Sequence, residues 1–272
     1  MNSNQFEKDN PKGPVRSGGR AARRAVRSAP LDAAIRPIKP GMPGGNFNPL
    51  KPEGVERIHT AALDALETIG LADAPDSGIK ALTSVGAMHG SDGRIRFPRS
   101  LVEDMLAMSQ KDLVLHARDP NFDLNLSGTK VHYGTAGAAV HIVDVESRKY
   151  RDSTVQDLYN AAHLVDQLDN IHFLQRPMVC RDISDNFTMD LNTVYACCSG
   201  TKKHVGVSFT EASFVDPIME MIHIMAGDKN KWRARPFISN SNCFVVPPMK
   251  FATESCLVME ACIRQGMPVL LL

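Results

Sequence analysis

Polar side chains gather near the ends of four apolar, strand-like runs, and their types limit the chemistry they can do. The runs are residues 171–179, 204–209, 237–246 and 268–272. Gln175 and Arg176 lie in the first, Ser208 and Thr210 close the second, and Ser239, Asn240, Ser241 and Asn242 lie in the third. In a parallel barrel the carboxyl ends of the strands form the mouth, so these are the candidate site residues. Tyr133, which closes Lys130-Val-His-Tyr133 directly before the turn Gly134-Thr-Ala-Gly137, joins them as a mouth residue. The set has no paired carboxylates, no Ser/His/Asp context and no His/Asp/Glu cluster at ligand spacing, so it favours binding and orientation over acid-base or metal hydrolysis. Phe173, Phe209, Phe237 and Phe244 lie on the same runs and, with Tyr133, offer faces to a cation. Phenylalanines on barrel strands more commonly pack the layers. His204, at the start of its strand, is expected to be structural, as are His116, His132 and His141.

The elements that would hold these residues alternate. Each of the first three runs is followed by an amphipathic segment, the signature of β/α units and a parallel sheet. Thr154 with Asp157 three residues on makes a capping box, and Leu158, Ala161, Ala162, Val165 and Leu168 form the stripe behind it. Further stripes run through Phe187 to Cys198, through Phe214 to Met225 with Thr210 as the expected cap, and through Phe251 to Ala261. Pro268-Val-Leu-Leu-Leu272 has no polar face and should be buried on both sides; a sequence that stops there reads as a fragment. The strand spacing suits half of a (β/α)8 barrel over residues 151–272. A doubly wound open sheet has the same local periodicity, but its G-x-G-x-x-G fingerprint is missing. Ahead of it, residues 37–150 read as an arm and a small α+β region, with a helix on Val55, Ile58, Ala62, Leu66 and Ile69 stopped by Gly70. The overall class is α/β.

Composition is that of a globular protein: 43% hydrophobic, 22% charged, net charge +1. Arg16, Arg20, Arg23, Arg24, Arg27 and Arg36 crowd residues 1–36, which read as a disordered basic tail. That segment has no interleaved aromatics for nucleic acid and no apolar h-region for export, and no window is long enough to cross a bilayer. The expectation is a cytoplasmic protein with no nucleic-acid or membrane partner. Six cysteines without framework or zinc-knuckle spacing read as reduced, buried thiols, and no metal site is expected.

Several segments together resemble the trimethylamine methyltransferase family, which includes corrinoid-dependent methylamine methyltransferases and non-pyrrolysine relatives acting on glycine betaine. The carriers are Gly54-Val-Glu-Arg-Ile-His, Ala65-Leu-Glu-Thr-Ile-Gly-Leu71, Arg94-Ile-Arg-Phe-Pro98, Val131 to Val140, Arg148 to Thr154, Asn240 to Pro248 and Gly266-Met-Pro-Val-Leu270. The resemblance, from about Leu50 onward, implies a (β/α)8 barrel that moves a methyl group from a tertiary or quaternary methylamine to the cobalt of a separate corrinoid protein. No cofactor would be bound directly; the corrinoid (cobalamin) would arrive on its cognate protein, and the full-length enzyme would be a homo-oligomer. Tyr133 carries over as a substrate-pocket wall, and Gln175 and Asn240 as strand-end substrate contacts; catalytic residues are not identified. Two other readings stand beside it. One is an inactive remnant serving binding or assembly, because half a barrel leaves edges uncovered. The other is a different barrel lyase or transferase acting on a small anion, for which residues 1–272 show no Gly-rich cradle.

Overall fold

The structure is a computed structural model that describes residues 19–29, 36 and 38–271. The chain divides into two units, residues 1–38 and 39–272. In the first, α1 (Arg20–Ser28) is a helix where composition predicts a disordered tail. Alanines at 21, 22 and 25 and four arginines explain it, since both types rank high in helix propensity. The rest of the expected tail, 1–18 and 30–35, lies outside the described residues.

The second unit opens with α2 (Pro52–Thr68), α3 (Asp76–Ser84) and α4 (Arg99–Met108) among short antiparallel ladders. Leu71, Ala87, Ile95, Phe251 and Cys256 form the small core of this part. From residue 155 strands and helices alternate: α5 (Val155–Gln167), β1 (Phe173–Gln175), α6 (Asn186–Gly200), β2 (His204–Val207), α7 (Val215–Ala226), α8 (Lys229–Ala234), β3 (Ile238–Asn242), α9 (Thr253–Arg264) and β4 (Val269–Leu271). The capping box forms as the sequence predicts, Thr154 and Asp157 each accepting from the other's backbone N–H.

β1 to β4 make one parallel sheet in chain order, with Phe173 opposite His204, Val205 opposite Ile238 and Asn240 opposite Val269. No closed barrel is formed by the described residues. Alternation along each strand assigns the faces. Leu174, Val205, Val207, Ile238 and Val269 enter a core with Leu158 of α5, Val194 and Cys197 of α6, Ile218 and Ile222 of α7, and Val258 and Cys262 of α9. Phe173, Gln175, His204, Gly206, Ser239, Ser241 and Leu270 therefore share the opposite face.

Residues 133–139 run beside β1 and cover its outer edge. The His172 N–H donates to the Tyr133 carbonyl at 2.6 Å, the Tyr133 N–H to His172 Nδ1 at 3.0 Å, and the Val179 N–H to the Ala139 carbonyl at 2.9 Å. Gly134 is required here, because a Cβ would fall inside the Phe173 ring.

Three expectations are corrected in detail. The first strand is only Phe173–Gln175, shorter than the apolar run 171–179, although the Arg176 and Val179 N–H groups still donate to the Gly206 and Ala139 carbonyls. The third run splits into β3 and a separate strand, Val245–Val246, paired antiparallel with Lys250–Phe251. Thr210 caps no helix; its N–H and hydroxyl donate to the Asp190 carboxylate at 2.6 and 3.0 Å. Among the described residues no helix is long and apolar enough to cross a membrane.

His204 ties the sheet to the front region. Its Nδ1 donates to the His116 carbonyl at 2.6 Å, which leaves Nε2 to accept from the Ser239 hydroxyl at 2.9 Å. Burial pushes its pKa down from 6.5 to about 4. The folded state thus holds His204 neutral while the unfolded chain takes up a proton as pH falls through 6.5. Its stabilising share is complete above pH 6.5 and is lost toward pH 4, about 3 kcal/mol over the whole window. Urea midpoints should therefore fall between pH 7.5 and pH 5, and His204→Gln, which cannot charge, should flatten that fall. An unchanged pH profile in the variant would exclude His204 as its source.

Candidate functional site

At the carboxyl ends of β1 to β3 the open sheet face forms a cleft of about 340 Å³. Its floor carries Phe173, Gln175, Ser208, Ser241 and Leu270, Arg176 lines its rim, and residues 135–138 wall one side. Each position follows from register. Phe173 and Gln175 alternate on β1, while Gly206 stands opposite Gln175 on β2. A Cβ at Gly206 would overlap the Gln175 amide oxygen, so the glycine gives that amide room to lie across the strand. The Ser208 hydroxyl donates to the Ser241 carbonyl at 3.1 Å, and the Thr135 hydroxyl to the Gln175 carbonyl. Ser241 Oγ is buried without a hydrogen-bond partner among the described residues.

The three sequence candidates separate. Gln175 lies in the cleft. Asn240 is fully buried on β3, two residues from Ile238 and so on the helix-packed face, and neither amide atom has a partner among the described residues. Tyr133 stands beside His172, at the opposite end of β1 from Gln175; its ring is half exposed and tilted against the His172 imidazole with centroids 5.9 Å apart. The structure therefore brings neither Asn240 nor Tyr133 to Gln175. Of the four phenylalanines only Phe173 lines the cleft. Phe237 packs edge-on against Trp232, Phe209 is core, and Phe244 packs with Phe251. Residues 135–138 are site residues that a strand-end search misses; the Gly134-Thr-Ala-Gly137 turn is their only sequence signal.

The chemistry is restricted by what is absent from the lining. Among the described residues no carboxylate, imidazole or thiol borders the cleft. Asp190 lies behind Arg176, and its carboxyl feels that charge, but burial dominates and pushes its pKa up while Thr210 occupies its oxygens. Among the described residues no group of three or more His, Cys, Asp or Glu stands together as a metal site. Ser239 and His204 have the hydrogen bond of an activated nucleophile, but the imidazole's second partner is a neutral carbonyl. With its pKa near 4, His204 is too weak a base to hold the serine proton at neutral pH. That pair sits with Leu113, Leu124 and Val131 around an adjoining, mostly apolar cavity of about 410 Å³ that shares Phe173, Gln175 and Leu270 with the cleft.

The Gly206 argument has a direct test. Gly206→Ala should push the Gln175 amide aside with a stability loss below about 1 kcal/mol, because the group that must yield is the end of a flexible side chain. Side-chain amide NMR would show the displaced Gln175, and a melt would show the small cost. A large loss with an unmoved amide would mean that the backbone yields instead.

The sequence profile of the family described as trimethylamine methyltransferase (MTTB) matches residues 16–272. A trimethylamine methyltransferase MttB of Desulfitobacterium hafniense is 27% identical over 218 residues, 80% of this chain and 44% of the relative. MttB1 of Methanosarcina mazei is 24% identical over 238 residues, 83% and 46% of the two chains. A glycine betaine methyltransferase of Desulfitobacterium hafniense is 24% identical over 194 residues, 71% and 40%. The chain thus spans less than half the length of these curated relatives. With the profile covering nearly all of it, including every strand of the parallel sheet, the chain belongs to the trimethylamine methyltransferase family.

Proposed function

We propose that the protein takes part in methyl transfer from a methylated amine to the cobalt of a corrinoid carried by a separate protein. The observation that carries this reading is a mostly apolar cleft with a few hydroxyl and amide groups and no carboxylate, imidazole or thiol among the described lining residues, within a chain whose relatives are named for trimethylamine and glycine betaine. A quaternary ammonium has no proton to lose, so removing its methyl group calls for orientation rather than proton transfer. The corrinoid cobalt supplies the nucleophile. This chain's share is to hold the amine. Gln175 offers an amide oxygen, Phe173 a ring face, and Ser208 and Ser241 hydroxyls, while residues 135–138 screen one side from water.

The chain-order parallel sheet with helices on one face supports a further reading, that β1 to β4 are consecutive strands of a (β/α)8 barrel. In that reading the cleft is part of the barrel mouth, homo-oligomeric assembly belongs to the complete enzyme, and the site is cytoplasmic.

A methyl-transfer assay tests the function. The product of the gene's full reading frame, incubated with a reduced corrinoid protein and either trimethylamine or glycine betaine, should give the absorbance change of cobalt methylation with at least one of them. Gln175→Ala should raise KM more than it lowers kcat, by roughly 3- to 30-fold for one lost amide contact. No methylation with any methylated amine overturns the reading.

A further inference from the structure

Residues 133–139 are strapped along the edge of β1, and one fastening of that strap is a side chain that can take up a proton. The Tyr133 N–H donates to His172 Nδ1 at 3.0 Å, and the His172 N–H donates back to the Tyr133 carbonyl at 2.6 Å. At the far end the Ala139 N–H donates to the Pro177 carbonyl at 3.0 Å and the Val179 N–H to the Ala139 carbonyl at 2.9 Å. Between them the Thr135 hydroxyl donates to the Gln175 carbonyl. Every acceptor in this set is a backbone carbonyl except His172 Nδ1, so pH acts on one end of the strap alone.

The partner of Nδ1 fixes the tautomer. A backbone N–H can only donate, so Nδ1 must offer its lone pair and the neutral ring carries its hydrogen on Nε2. A second proton has one place to go, Nδ1, where it sets donor against donor. His172 is only 3% exposed, so its imidazolium reaches water only when the strap lifts. The surrounding groups act in the same direction. His132 meets the ring edge-on and Tyr133 tilts against it, each with centroids 5.9 Å away, and the Lys203 ammonium acts on it from just before β2. Burial first, then His132 and Lys203, push the His172 pKa below 6.5. The unfolded chain therefore takes up this proton more readily than the folded one. The stabilising share of the closed strap is complete above pH 6.5 and is lost as pH falls toward the lowered value.

We propose that His172 is a proton-operated latch: protonation at Nδ1 releases residues 133–138 from β1, hinged on the Ala139 bonds to Pro177 and Val179, and so opens the wall that residues 135–138 give the cleft. Its action does not depend on methyl transfer.

Hydrogen exchange of the Tyr133 amide, corrected for intrinsic rates, tests the latch, with long-range proton–nitrogen correlation reading the His172 ring. Between about pH 7.5 and pH 5 the Tyr133 protection should fall at least about tenfold, the effect of one pKa unit. Tyr133 should also exchange ahead of Val205 in the sheet, which marks local opening. His172→Asn, whose side-chain oxygen accepts but takes up no proton, should keep Tyr133 protected across the range, and His172→Leu should leave it unprotected throughout. His204→Gln should leave the fall in place, and so should His132→Gln, which keeps a donor for the Asn125 carbonyl. A neutral His172 ring protonated on Nδ1 overturns the proposal. So does a fall that persists in His172→Asn or vanishes in His132→Gln or His204→Gln, exchange of Tyr133 only together with Val205, or no fall at all.

Discussion

The structure depends on one face of a parallel sheet being dry. Leu174, Val205, Val207, Ile238 and Val269 must all turn toward α5, α6, α7 and α9, and because the side-chain period of a strand is two, a slip of one residue would send each of them to the other side. Fixing that face fixes its opposite. Gln175, Gly206 and Ser241 are aligned by the burial of their neighbours, which makes the cleft a by-product of core packing. Lys203 reinforces the arrangement. Its buried ammonium donates to the carbonyls of Val165, Leu168 and Ile171 at 2.6 to 2.7 Å, closing the carboxyl end of α5 just before β2 begins. Burial pushes the Lys203 pKa down, while the nearby Asp166 and Asp169 oppose that shift.

The amino ends of the strands are tied in a different way. Asp123 accepts from the Ala117 N–H at 2.8 Å, meets His116 Nδ1 at 3.0 Å and receives the Arg235 guanidinium at 2.7 and 2.9 Å. Burial alone would raise its pKa; these bonds hold it below the ordinary carboxylate range instead. One carboxylate therefore links the front region, through His116, to Arg235 just before β3, and the His116 carbonyl orients His204. The charged chemistry at this end is spent on holding the fold. The carboxyl ends differ, since there the Arg176 guanidinium has no hydrogen bond or ion pair among the described residues.

Much of this was legible in the sequence. Alternating strand and helix signals place β1 to β4 and α5, α6, α7 and α9, though not the short α8, and the Thr154–Asp157 box fixes where α5 starts. These signals are local and periodic, and so can be read from one chain. The side on which a residue faces is legible only once register is known. Asn240 and Ser241 are neighbours of similar polarity, yet one belongs to the helix face and the other to the cleft. Tyr133 carries a plausible local signal, a strand end before a glycine turn, but its partner is His172, 39 residues later and at the other end of β1. Lys202 and Lys203 look alike in sequence, and only the carbonyls of α5 decide which is buried.

Under the proposed function, the cleft's composition constrains how a methylated cation could be held. An aromatic cage usually spreads such a charge over several ring faces, but here Phe173 is the one aromatic in the lining. A single face contributes roughly 0.5 to 2 kcal/mol, too little to repay the desolvation of a full charge and offset a neighbouring guanidinium. The remaining attraction must come from oxygen atoms directed at the polarised methyl groups, and Gln175, Ser208 and Ser241 supply them. Such contacts are weak and leave the cation free to rotate about its nitrogen. Under the proposed function the chemistry moves no proton and depends on which methyl group faces the acceptor, so walls that limit this rotation, as residues 135–138 do on one side, are the most useful thing the cleft can provide.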